Sequence, residues 1–272
     1  MSKDKQEFNF NKYWGPDILK PFVDYSREGV HYCIYCGAIA DTREHVPSKV
    51  FLMKPLPSDL PVLPACQKCN NGFSSDELYT KTYIKCLKQI LDSNNYGYIQ
   101  IETKDRKEIR EAKDAVKEAI GKKVLSYDNR VGRVLLKLAI GHATYELSEG
   151  YCTLKWSGTP LYIKYIIKST ICEAEWNDLE YPEPMNDKML PEMGSRVFRN
   201  FCVLQMPLVS FETKEQLNLN LTMMDWTDIQ DGAYRYLAYF EDDKLVVKMI
   251  IMNYLYGEVV FKEYSTQNDE IV

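Results

Sequence analysis

Four cysteines in two short turns, Cys33-Ile-Tyr-Cys36 and Cys66-Gln-Lys-Cys69, stand on either side of Arg43-Glu44-His45, and the second turn runs directly into Asn70-Asn71-Gly72. Two Cys-x-x-Cys turns offer two sulfurs from each of two chain segments, the usual way to build a tetrahedral structural zinc site. The 29 residues between the turns exceed the roughly fifteen to twenty of common zinc ribbons. The metal would therefore close over an insert that carries Glu44 and His45. A redox role explains one such turn and not two. Disulfides are disfavoured because the chain opens Met-Ser-Lys-Asp-Lys with no apolar leader segment, which points to the reducing cytoplasm. Cys86, Cys152, Cys172 and Cys202, scattered among apolar neighbours, read as buried free thiols.

Hydrolysis of a phosphodiester needs a base for the attacking water, a cation for the charge that develops on phosphorus, and a rigid frame for in-line attack. His45 suits the first part, because an ordinary imidazole is largely neutral at pH 7. Glu44 and Asn70 offer the hard oxygens that Mg2+ or Mn2+ prefers, unlike the thiolates that suit zinc. Arg43 could clamp a phosphate. Zinc would then act as a staple that brings the Glu44-His45 segment against Asn70. Each residue also has a plainer reading: an exposed pair at a strand end, a turn at Asn70-Asn71-Gly72, a solvated arginine. His31 reads as a surface residue or phosphate contact, and His142 as a satisfied core histidine.

The order Cys-x-x-Cys, Glu-His-Val-Pro, Cys-x-x-Cys-Asn-Asn-Gly over Tyr32 to Leu91 resembles the HNH endonuclease family with its ββα-metal core. The resemblance implies His45 as general base, with Glu44 and Asn70 holding one catalytic divalent metal. Two departures stand out. Glu44 replaces the more frequent aspartate, and Pro61 stands where that family carries its middle asparagine, leaving Asn71 or a backbone carbonyl to orient His45.

These residues need elements to position them. A strand from Ala38 to Glu44 is ended by Pro47, and Val62-Leu63 forms the returning strand. Ser74 and Glu77 are spaced as a capping box at the start of a helix through Leu91. Residues 104–123 alternate acids and bases around a narrow apolar stripe, the pattern of a solvated amphipathic helix. A stronger helix follows from Arg130 to Leu147. Leu161–Ile167, Val197–Val209, Tyr234–Phe240 and Leu245–Phe261 then read as antiparallel strands. The expectation is an α+β protein: an HNH domain with structural zinc over residues 1–95, and an α+β accessory domain over residues 96–272.

The chain has 272 residues and is 45% hydrophobic, enough for a real core, and no stretch is long and apolar enough for a membrane span. Its net charge of −5 is unfavourable for autonomous DNA binding, although acids concentrate between Glu173 and Glu192. The expected function is a metal-dependent DNA endonuclease, alone, as a homodimer, or delivered by a protein partner in a restriction or phage-defence system. The rival is a non-catalytic zinc module that docks protein or nucleic acid.

Overall fold

The computed structural model describes residues 32–93, 106–122, 128–147, 160–185, 188–189, 196–197, 200–214, 216–242 and 244–262. The expected N-terminal arm with His31, and Cys152, lie outside them.

The chain begins with a short antiparallel pair, β1 (Thr42–His45) and β2 (Val62–Ala65), in which Glu44 stands opposite Leu63 and His45 opposite Val62. Strand β1 starts later than expected because residues 33–38 close a tight turn. Cys33 N donates to Ala38 O at 2.7 Å and Gly37 N to Cys33 O at 2.9 Å. Gly37 takes a φ of 70° there, a conformation that favours glycine.

Two helices follow in close succession, α1 (Gln67–Gly72) and α2 (Ser74–Ser93). The expected capping box does not form: Ser74 is already helical, and Glu77 N donates to Phe73 O at 2.9 Å. Next come α3 (Lys107–Lys122) and α4 (Asn129–Leu147). The stripe of α3 is buried at Ile109, Ala112 and Val116. Arg130 ties the three long helices together, with Nε 3.0 Å from Asp76 Oδ1 and Nη1 2.6 Å from Glu111 Oε2.

After β3 (Tyr162–Ile167), helix α5 (Glu173–Glu180) occupies the acidic segment. Its charges hide it in the sequence; only Trp176 of this helix is buried, with Nε1 donating to Glu180 Oε1 at 2.6 Å. Cys172 caps α5 and is exposed, contrary to the expectation of a buried thiol, whereas Cys86 is buried and Cys202 partly so.

The remaining elements are strands: β4 (Glu183–Pro184), β5 (Lys188–Met189), β6 (Phe201–Val209), β7 (Gln216–Met224), β8 (Thr227–Gln230), β9 (Tyr234–Glu241), β10 (Lys244–Ile251) and β11 (Leu255–Lys262). A six-stranded antiparallel sheet runs β3-β11-β10-β9-β5, with β8 also paired to β9. The hairpin β10–β11 turns through Met252 and Asn253, both at positive φ, as a tight hairpin requires. Strands β4, β7 and β6 form a separate three-stranded sheet. Strands β7 and β8 escape the sequence reading because Asn, Gln and Thr alternate with the apolar residues of β7 and β8 is short.

Helix α4 lies on the larger sheet. A Cβ on Gly257 of β11 would come within 2.5 Å of Leu135 Cδ2, so the bare backbone there is what lets helix and strand approach. One apolar core runs from Phe51 through Tyr83, Leu135 and Trp176 to Phe261. It passes across the expected boundary after residue 95. A small separate cluster of Ile34, Val46, Leu63 and Tyr145 lies under the β1–β2 pair.

His142 sits inside this body, with Nε2 2.8 Å from the Tyr234 hydroxyl and its ring 3.7 Å from that of Tyr236. The expected satisfied histidine is satisfied on one side only, since Nδ1 is buried without a hydrogen-bond partner among the described residues. Burial holds its pKa well below the ordinary value, aided by the charge of Arg196. As pH falls below about 6.5 the unfolded chain takes up this proton and the folded chain does not, so stability falls at up to about 1.4 kcal/mol per pH unit. Thermal melts between neutral and mildly acidic pH are expected to show a shallower loss in His142→Phe than in the unaltered protein.

Candidate metal centre and the adjoining histidine

The sulfurs of Cys33, Cys36, Cys66 and Cys69 all lie within 4.8 Å of one another. Cys36 and Cys66 are 3.6 Å apart, far beyond the roughly 2.05 Å of a disulfide. The separation suits the about 3.8 Å edge of a sulfur tetrahedron built on 2.3 Å zinc–sulfur bonds. All four are free thiols, and the cluster could hold a metal ion such as zinc. Backbone N–H groups already face the sulfurs: Tyr35 N lies 3.4 Å from Cys33 Sγ and Cys69 N 3.4 Å from Cys66 Sγ. The Cys69 N–H is the main cause of a lowered Cys66 pKa, while burial raises those of Cys33 and Cys69.

The two turns are held in place by the strands between them. Ile34 N donates to Pro64 O at 3.1 Å, Thr42 Oγ1 to Ala65 O at 2.8 Å, and Gln67 N to Asp41 Oδ1 at 2.6 Å. Asn70, just past the last cysteine, returns to β1: its Nδ2 donates to Arg43 O at 3.0 Å and to Thr42 Oγ1 at 3.3 Å. The sequence-predicted residues Asn70, Arg43, Glu44 and His45 therefore meet along one strand.

Side chains alternate across a strand, and β1 sends its central residues to different surroundings. Arg43 is exposed, Glu44 is buried and His45 is half-buried. Burial, followed by the charges of Lys49 and Arg43, lowers the His45 pKa to about 4. Its imidazole is neutral at physiological pH. No described residue hydrogen-bonds His45. Pro61, at the position in question for orienting it, gives its carbonyl to Val46 N at 2.9 Å, and Asn71 is exposed in α1 with its carbonyl accepting from Phe73 N.

Glu44 has a partner that the sequence reading missed. The Lys137 ammonium, on α4, is almost fully buried and lies 3.1 Å from Glu44 Oε1 and 2.8 Å from Ser48 Oγ, and it also contacts Glu77 Oε1. Ser48 Oγ donates to Glu44 Oε1 at 3.1 Å. Burial is the main reason the Glu44 pKa is raised, with Lys137 pulling it down and Glu77 pushing it up. Tyr35 bridges this network and the cysteines: its ring packs 5.3 Å from that of Phe73, and burial with the charges of Glu44, Glu77, Cys33 and Cys69 raises its pKa well above normal. The available signal was a lone lysine in the apolar run Val134-Leu135-Leu136-Lys137-Leu138-Ala139, since a buried ammonium must be paired.

Among the described residues the four cysteines are the sole group of three or more His, Cys, Asp and Glu side chains placed to hold a metal. Glu44, His45 and Glu77 do not converge in that way. Glu44 Oε2 and Asn70 Oδ1 nevertheless take no hydrogen bond from the described residues, so two hard oxygens remain on either side of the Arg43 peptide. No helix among the described residues is long and apolar enough to cross a membrane.

Fold and site together define an α+β protein with a four-cysteine centre closing a β-hairpin onto a helix. No known family, curated protein or solved structure matches the chain.

Proposed function

We propose that this protein is a metal-dependent endonuclease of the HNH type that hydrolyses DNA phosphodiester bonds. The observation that carries the reading is His45, neutral and half-exposed on β1, beside an Asn70 that the cysteine centre brings back to the same strand. In this mechanism His45 accepts a proton from water, the resulting hydroxide attacks phosphorus, and the P–O bond to the leaving strand breaks in line. Glu44 Oε2 and Asn70 Oδ1 would hold Mg2+ or Mn2+, which supplies charge stabilisation at the phosphorane. Arg43 and Asn71, both exposed, are placed to meet the DNA backbone. The zinc at the four cysteines is structural. The net charge of −5 supports delivery to DNA by a protein partner, as in a restriction or phage-defence assembly.

His45→Ala is expected to lower nicking of supercoiled plasmid by about 10²–10⁴-fold while zinc content and thermal melting stay unchanged. Full activity in the variant would remove His45 from the mechanism. A second reading, a non-catalytic zinc module that docks protein or nucleic acid, is favoured by one observation: Lys137 already neutralises Glu44 Oε1. It predicts one tightly bound zinc per chain, no second divalent ion on titration, and no nicking under any metal.

A further inference from the structure

Strands β6 and β7 form a nine-residue hairpin in which Leu204 faces Leu221 and Met206 faces Leu219. Because alternate side chains share a face, Leu204, Met206 and Leu208 line one side with Leu219 and Leu221. Leu204 is 47% exposed, Leu208 48% and Leu219 42%, and Phe211 at the tip is 99% exposed. The opposite side carries Gln205, Asn218, Asn220 and Thr222. The hairpin is therefore amphipathic, and its apolar face is bare among the described residues.

None of the eighteen strand residues is charged, although edge strands are commonly guarded by lysine or other charges. Strand β4 pairs with β7 only at Met224 and Met223, so most of the ribbon has two strands, a form only marginally stable in water. Something must cover it. Pro207 lies on the free edge strand β6, where its missing N–H interrupts strand addition. The face, not the edge, is the adhesive surface.

We propose that a second copy of this chain covers that face, with the two β6–β7 hairpins packed against each other across a two-fold axis. An uncharged leucine-rich face offers nothing to nucleic acid, which binds through cationic groups, and is complementary to itself under two-fold symmetry. Nine residues at about 3.4 Å and two strands at about 4.8 Å, with side-chain overhang, give a face of roughly 450 Å² per copy. Burial of Phe211 adds about 150 Å² or more, bringing the pair to roughly 1,200 Å², the low end of specific interfaces. The dimer is accordingly a micromolar one.

Sedimentation equilibrium of the full chain with zinc, between about 1 and 200 μM, is expected to show the mass rising from that of one 31.7 kDa chain toward twice that value. Leu204→Asp and Leu219→Asp should each shift the dissociation constant at least about tenfold, while Gln205→Asp, on the other face of the same strand, leaves it unchanged. Circular dichroism and zinc content confirm that each variant is folded. A protein that stays monomeric throughout, a dimer indifferent to both leucine variants, or one equally sensitive to Gln205→Asp overturns the assignment.

Discussion

Lys137→Met is expected to destabilise the protein by about 3–5 kcal/mol, the usual result of leaving a buried charge without its partner. The ammonium lies between Glu44 and Glu77, both buried, and also meets Ser48. Removing it leaves two carboxylates facing each other in a medium of low polarity, where at least one must be protonated for the fold to persist. The Glu44 pKa, already raised by burial and by Glu77, then rises further. A raised carboxyl pKa means that the folded state holds a proton the unfolded state has released, so the deficit of the variant grows as pH rises from about 5 to 8. Urea unfolding at those two pH values measures both the loss and its direction. Replacing Glu44 and Glu77 together with apolar residues of similar size in the Lys137→Met background should recover much of the loss. A single-variant deficit below about 1 kcal/mol, the range of exposed pairs, would show that the ammonium is solvated rather than buried.

Cys66→Ser is expected to abolish zinc binding and to unfold the two cysteine turns while leaving the C-terminal sheet intact. Cys66 serves twice, as a ligand candidate and as the N-cap of α1, where its sulfur accepts from Cys69 N. The apolar material under the hairpin is small, consisting of Ile34, Val46, Leu63 and Tyr145, and the cysteine cluster adds only Cys33, Ala65 and Cys66. Structural zinc in small modules is worth about 10–16 kcal/mol of apparent binding energy, so the local fold rests mainly on the metal. The larger core, from Phe51 to Phe261, does not include the cysteine turns. Hydrogen exchange should therefore show lost protection at Cys33, Gly37 and Asn70, whose N–H groups hold the turns, with β9 to β11 still protected. Metal content should fall from one equivalent to none. Retention of a full equivalent of zinc, or unchanged protection in both turns, would count against a four-cysteine centre.

What the sequence disclosed, and what it hid, follows from how far each signal reaches. The cysteine turns, the pair Thr42–His45 with Val62–Ala65, the stripe of Lys107–Lys122 and the hydrophobic strands from Tyr234 onward are written in local spacing and periodicity. Residues whose partners lie far along the chain are not. Glu77 looks like a helix-capping carboxylate three residues after Ser74, yet it turns inward to Lys137, 60 residues away. Glu44 was legible as an acid beside a histidine, but not as the partner of the same lysine. The helix Glu173–Glu180 was masked by its own charges because a single tryptophan is buried there. Strand Gln216–Met224 alternates polar and apolar residues clearly, but its apolar face meets no core of its own, so nothing nearby in sequence marks what it packs against.

The most direct test of the proposed function is nicking of supercoiled plasmid by the zinc-loaded protein, with and without Mg2+ or Mn2+, beside His45→Ala carrying the same zinc. The account predicts nicking that needs the added metal and is lost in His45→Ala with the cysteine centre intact. Nicking that persists in His45→Ala, or a fully zinc-loaded protein with or without its delivery partner that nicks under no metal, would contradict it.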